Sequence, residues 1–388
     1  MTRDNRLLAL ALACWGLGEG MFIYIEPLYL RQLGADPVVI GSILAIAAAA
    51  AGLAHIPAGY LADRYGRKPV LLAGWAVGLG AVLLMFLAQD LWLFAAGLVA
   101  YTFTGFVIAP IYAYAAVARG SQSMQRALTL VSAGFYAGNI ISPALGSLIT
   151  QISSLRMVFG AASLAFVVST VLTFLLRPQA IEAMPASGGR YTALFRNRRF
   201  LGFLLLMLAA ATAMQVGLPL MPNFVVEVRG YDAALVGLLG SANSLGVVAL
   251  SLAFGHRAPR RGYMLAQACL ALSLLLLLVT TSPAWLFVAY FLRAGFALAH
   301  TLAAAQVGRV VSAAESGLAL GMIETVSSAA TIIGPLAAGL LYARAPAAPF
   351  ITSLVLILLT LPLVWRFAPR RDAHTPQPAG VAAPTLPE

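Results

Sequence analysis

Charge is scarce in this chain. Asp, Glu, Lys and Arg make up 10% of its 388 residues, while 61% are hydrophobic. A soluble domain carries about 25% charged residues. So much apolar surface cannot be hidden in one water-facing core, and lipid is the solvent that fits it. Cysteine is scarce as well. Cys14 and Cys269 lie in apolar runs in different halves, which argues against a disulfide framework or a cysteine-held metal. The sequence has no phosphate-cradling nucleotide loop, no metal-ligand cluster and no nucleophile–base pair. We therefore expect no enzyme activity, no catalytic residue, no cofactor and no metal. Lysine is reduced to Lys68 beside 23 arginines among 24 basic residues. A net charge of +11 would suggest nucleic acid in a soluble protein. Here the basic residues sit in short segments between apolar runs, so the expected partner is the lipid bilayer and not a nucleic acid.

Twelve apolar runs come near the roughly 20 residues that a crossing helix needs. They are 7–30, 38–60, 69–88, 91–117, 127–150, 156–176, 200–226, 232–254, 262–281, 284–308, 316–342 and 350–368, numbered below as spans 1 to 12. The first is too long for the core of a cleaved signal and is expected to stay as a span. With the N-terminus inside, 19 basic residues fall in inner segments, 4 in outer ones, and Arg293 alone lies mid-span. Cytoplasmic loops carry the excess of Lys and Arg, so both termini are expected in the cytoplasm of a cell (inner) membrane protein. The longest connection, 177–199, is small, polar and basic. It divides residues 1–176 from 200–370, six spans each, and leaves a Pro/Ala-rich tail, 371–388, expected to be disordered.

The halves repeat. "GADPVVIG", Gly34 to Gly41, follows span 1, and "GYDAALVG", Gly230 to Gly237, follows span 7 at an offset of 196. Span 5 holds "GNIISPALGS" around Pro143, and span 11 holds "ATIIGPLAAG" around Pro335, offset by 192. Six spans is an even number, so the copies are parallel repeats.

The loop after span 2 reads "GYLADRYGRKP". It resembles the signature cytoplasmic loop of the major facilitator superfamily at Gly59, Leu61, Asp63, Arg64, Gly66, Arg67 and Lys68. The resemblance implies an all-α membrane protein, with twelve transmembrane helices in two pseudo-symmetric six-helix bundles. It further implies a secondary transporter with a small-molecule substrate, working by alternating access as a monomer. It makes Gly59, Asp63, Arg64, Gly66 and Arg67 a cytoplasmic gate that braces one bundle on the other. The alternative is a basic loop that only fixes topology. Span 5 partly resembles a Gly-x-x-x-Gly-Pro-x-x-Gly-Gly motif of the drug/proton antiporter branch, with Ser142 and Ser147 in place of two glycines. That implies export of small hydrophobic or amphipathic compounds coupled to protons. Where the branch often has a buried arginine four residues before a glycine of span 4, this chain has Tyr101 before Gly105, a departure from its standard proton relay.

Ionisable groups at membrane depth are costly and usually face a cavity. Glu19 lies about 18 Å along span 1 at 1.5 Å per residue. The glycines of "WGLGEGM" around it would admit a substrate or a partner helix. It is the first candidate for the coupling proton; a packing hydrogen bond is the alternative. Glu26 lies two turns on along the same face, as a further candidate or an interfacial carboxylate. His300 in span 10 and Glu324 in span 11 match in depth and could form a proton-binding or a static pair. Arg293, Tyr112, Asn139, Gln215 and Asn243 are candidate cavity residues, and the amides among them could equally join helices. Other readings are a uniporter or symporter of a sugar or organic anion, and a non-transporting membrane sensor.

Overall fold

The computed structural model describes residues 1–179, 197–255, 258–307 and 316–368, without the side chains of 55–60, 62, 63, 125, 307, 316–318 and 320. Among these residues there is helix and turn but no strand. Eleven helical stretches are long and apolar enough to cross a bilayer. The bent pair Arg3–Phe22 and Glu26–Gln32 supplies a twelfth as span 1.

Spans 1, 4, 7 and 10 are broken, where the apolar runs suggested continuous helices. Span 1 bends by 45°. Span 4 passes from Leu91–Phe103 through a tight turn at Thr104–Val107 into Ile108–Val117. Span 7 comes as Arg198–Gln215 and Met221–Glu227, and span 10 as Pro283–Arg293 and Gly295–Val307. Glycine or proline lies in each break or within two residues of it: Pro27 after the bend of span 1, Gly105 in span 4, Gly217 and Pro219 in span 7, and Gly295 in span 10. Pro27 and Pro222 start the second pieces of spans 1 and 7, where a missing N–H costs nothing.

Glycine sets the packing inside the first bundle. Span 1 lies against span 5, Met124–Ile152, and their glycines interlock. A Cβ on Gly16 would come within 2.2 Å of the Phe135 carbonyl oxygen, and one on Gly138 within 2.1 Å of the Ala13 carbonyl oxygen. The backbones touch, as small residues allow in membranes. Gly138→Val is therefore expected to destabilise by at least about 1–3 kcal/mol. It should lower the melting temperature of the purified protein. Gly80→Ala, with nothing within 4 Å, should leave it unchanged.

The bundles meet at the face opposite the start of span 1. Gly34 and Gly230 turn the chain with φ of 94° and 73°, a region that favours glycine. Asp36 and Asp232 then cap spans 2 (Pro37–Tyr65) and 8 (Ala233–Phe254), each accepting a backbone N–H at 2.8 Å. One turn on, Gly41 and Gly237 reach the other bundle. A Cβ on Gly41 would lie 2.3 Å from the Pro335 carbonyl oxygen in span 11, Ser316–Arg344, and one on Gly237 would lie 2.9 Å from that of Pro143 in span 5. Beyond this seam Arg31 pairs with Glu227 at 2.8 Å, and Tyr342 donates to the same carboxylate. Two further arginines of this face cap helix ends. Arg156 donates to the Phe86 carbonyl, and Arg229 to that of Leu277. Toward the face where span 1 begins, the bundles part, and Tyr112, Tyr136, His300 and Glu324 are exposed along the opening.

Candidate functional site

Glu19 stands in the wall of a cavity of about 420 Å³ built from spans 1 to 5. The Tyr101 hydroxyl and the Trp15 indole N–H stand beside its carboxyl as hydrogen-bond donors. Trp15 is wedged against Trp75 and Phe166, with ring centroids 5.0 and 4.5 Å away. Tyr101 packs edge-on to Phe22. These aromatics fix both donors. Tyr112 and Tyr136 line the open side of the same cavity. The glycines beside Glu19 face protein: Gly16 meets span 5, Gly18 the Phe166 ring and Gly20 the Ser142 hydroxyl. Of the two partners the sequence allowed, they admit a helix. Tyr101 lies at the position where the branch often has arginine, so this departure marks a contact with Glu19.

The bend of span 1 sends Glu26 elsewhere. It lines a second cavity of about 310 Å³ with Arg293, Gln215, Tyr24, Phe296 and Thr331. Arg293 and His300 sit seven residues apart, but the break at Ala294 separates them. His300 lines a third cavity, of about 280 Å³, with Glu324. There its Nε2 lies 3.3 Å from Glu324 Oε2, so the depth match does correspond to a contact. Asn139 and Asn243 use their amides between bundles. Asn243 donates to the Tyr24 hydroxyl at 2.8 Å, and Ser244 donates to Asn139 Oδ1 at 3.2 Å.

In the loop after span 2, Gly66 has φ 86° and ends that helix. Arg67 donates to Gln179 Oε1 at 3.0 Å, and Gln179 donates to the Tyr114 carbonyl. Arg64 lies 5.6 Å from the Tyr65 ring centroid. These contacts tie the loop to the ends of spans 4 and 6. The side chains of Gly59 and Asp63 lie outside the described residues. Trp15 and Tyr101 complete the Glu19 site and were not among the candidate site residues. Trp15 carries no sequence signal that sets it apart from the other aromatics of its span, and Tyr101 stood out only as a departure from the branch's arginine.

Two bundles of crossing helices, clasped at one face and parted at the other over mainly apolar cavities that hold a few ionisable groups, define a membrane carrier. The Major Facilitator Superfamily model matches residues 8–261 and 212–387, and the chain belongs to this superfamily of transporters. It is similar to Multidrug resistance protein 1 of Bacillus subtilis (strain 168), 22% identical over 92% of this chain and 95% of that protein. It is also similar to the class C Tetracycline resistance protein of Escherichia coli, 27% identical over 92% of this chain and 96% of that protein. Among solved structures, the nucleoside transporter NupG superposes with a TM-score of 0.77 at 14% identity, covering 94% of this chain and 98% of that one. A bacterial homolog of the human lysosomal transporter Spinster does so at 0.73 and 12%, over 94% and 96%. At these identities the structural likeness speaks for fold alone.

Proposed function

We propose that the chain exports small hydrophobic or amphipathic compounds in exchange for protons, with Glu19 binding the coupling proton. The observation that carries this reading is the Glu19 carboxyl in an aromatic, parted cavity, oriented by Tyr101 and Trp15. Such a wall suits apolar rings, and Glu19 is the one carboxyl among its lining residues. The relatives named for multidrug and tetracycline resistance support the export direction. His300 and Glu324 form the second candidate site for a proton, and Glu26 the third.

In this reading residues 1–176 and 200–370 are the two moving bundles, joined by 177–199, in a monomer. The loop from Gly59 to Arg67 is the latch that closes the cytoplasmic side. Both termini are cytoplasmic, on the ratio of 19 to 4 basic residues. Cysteines introduced near Arg31, Asp90 and Arg344 are expected to react with an impermeant reagent from outside sealed cells, and one at Arg190 is not. Outside labelling at Arg190 would reverse the topology.

Export itself is tested by accumulation. Cells that express the chain are expected to retain less of at least one amphipathic compound, tetracycline included in the panel, and a protonophore should erase the difference. Equal retention across the panel would sink the export reading. Movement of an organic anion is the second reading, and Arg293 is the residue that favours it.

A further inference from the structure

Among the described residues, Arg293 is a cation without an anion. It closes the first piece of span 10, where the free carbonyls of a helix end favour positive charge. Its guanidinium lies 5.7 Å from the Tyr24 ring centroid, across the seam, and 5.9 Å from that of Tyr290. Those faces hold its plane. The ion pairs among the described residues are Arg31–Glu227 and His300–Glu324, and neither involves it. Its Nε is shut off from solvent and has no acceptor. The Gln215 Oε1 in the same cavity is likewise buried and unbonded. Glu26 lines that cavity too, but forms no ion pair with Arg293, and its charged neighbour is Glu19.

A guanidinium offers five N–H donors in a fork that matches a carboxylate. Left unpaired at membrane depth it is costly, and such groups usually mark a ligand path. The rest of the lining, including Leu98, Leu218 and Phe296, is mainly apolar. We propose that Arg293 and Gln215 seat the anionic head of an amphipathic substrate. A carboxylate or similar planar anion lies on the Arg293 fork. A donor group beside it meets Gln215 Oε1, and an apolar body runs along Tyr24 and Phe296. This rests on the proposed transport of amphipathic compounds, with the second cavity, of about 310 Å³, as the seat of their charged end.

The test is thermal unfolding of the full chain in neutral detergent with three ring-matched probes: naphthoate, naphthamide and naphthylmethylammonium. A ligand that binds the folded state raises the melting temperature in a concentration-dependent way. Naphthoate is expected to bind about ten- to a hundredfold more tightly than the other two, the range of a charged hydrogen bond. Arg293→Gln should remove that preference. Should this variant fail to fold, Arg293→Lys carries the test, since it keeps the charge without the fork and should bind naphthoate more weakly than wild type. Equal shifts from naphthoate and naphthamide in the wild-type protein, or an undiminished preference in either variant, would overturn the proposal. A separate titration with phosphatidylglycerol distinguishes a lipid headgroup. Arg293-dependent stabilisation by that lipid, with none from naphthoate, would also overturn it. Binding is measured and not flux, so failure here leaves proton-driven export standing.

Discussion

Glu19→Gln is expected to bind substrate as the parent does and to lose all uphill transport. Gln is nearly isosteric with the protonated acid, and its amide oxygen can accept from the Tyr101 and Trp15 donors beside it. The aromatic wall around Trp15 therefore keeps its place, and folding should change little. What the variant lacks is a dissociable proton. One unit of pH difference is worth about 1.4 kcal/mol per proton, about a tenfold concentration ratio. In vesicles with such a gradient the parent should approach that ratio for a one-to-one exchange, and Glu19→Gln should settle near unity. Counterflow exchange needs no net proton movement and should persist. Unaltered accumulation in the variant, with normal pH dependence, would move the proton to the His300–Glu324 pair.

Gly41→Leu should abolish transport by a different route. No Leu fits 2.3 Å from a carbonyl oxygen, and the neighbour on that side is the backbone of the opposite bundle. Overpacking of this kind costs about 1–3 kcal/mol or more. It falls on the conformer with this seam closed, and about 1.4 kcal/mol already shifts a two-state ratio tenfold. The variant should therefore rest with the seam parted while each bundle stays folded. Spin labels at Asp90 and Thr281, both exposed on that face, should move apart. Gly52→Ala is the control. Its Cβ would meet Ser328 at an ordinary 3.5 Å, and transport should survive. An unchanged label distance in Gly41→Leu, with normal transport, would show that the seam does not gate the cycle.

The seam was visible in the sequence before its purpose was. The repeated pattern of Gly34 to Gly41 and Gly230 to Gly237 holds, in order, the turn glycine, the capping aspartate and the crossing glycine. The Pro143 and Pro335 segments are what those glycines cross. Duplication kept the residues that close one face. The span count and the family were legible for a similar reason: lipid demands long apolar runs, and the Asp63 to Lys68 loop is specific.

The helix breaks were less legible. An apolar run reads alike whether straight or bent, and proline is tolerated in membrane helices. The bend after Glu19 and the break after Arg293 decide which residues share a cavity. Glu19 and Glu26 thereby line different cavities, and Arg293 is separated from His300. The partners of Glu19 were hidden because Tyr101 comes from another span. Asn139 and Asn243 left open whether they line a cavity or join helices, since spacing within one helix says nothing about which bundle faces it.

Proton movement coupled to substrate is the centre of the account. The direct measurement uses proteoliposomes that hold the dye pyranine and an exported compound, with no imposed gradient. Release of the compound down its own gradient is expected to acidify the lumen in wild-type vesicles and to leave it unchanged with Glu19→Gln. Release without any change in lumenal pH in the wild-type protein would contradict the account.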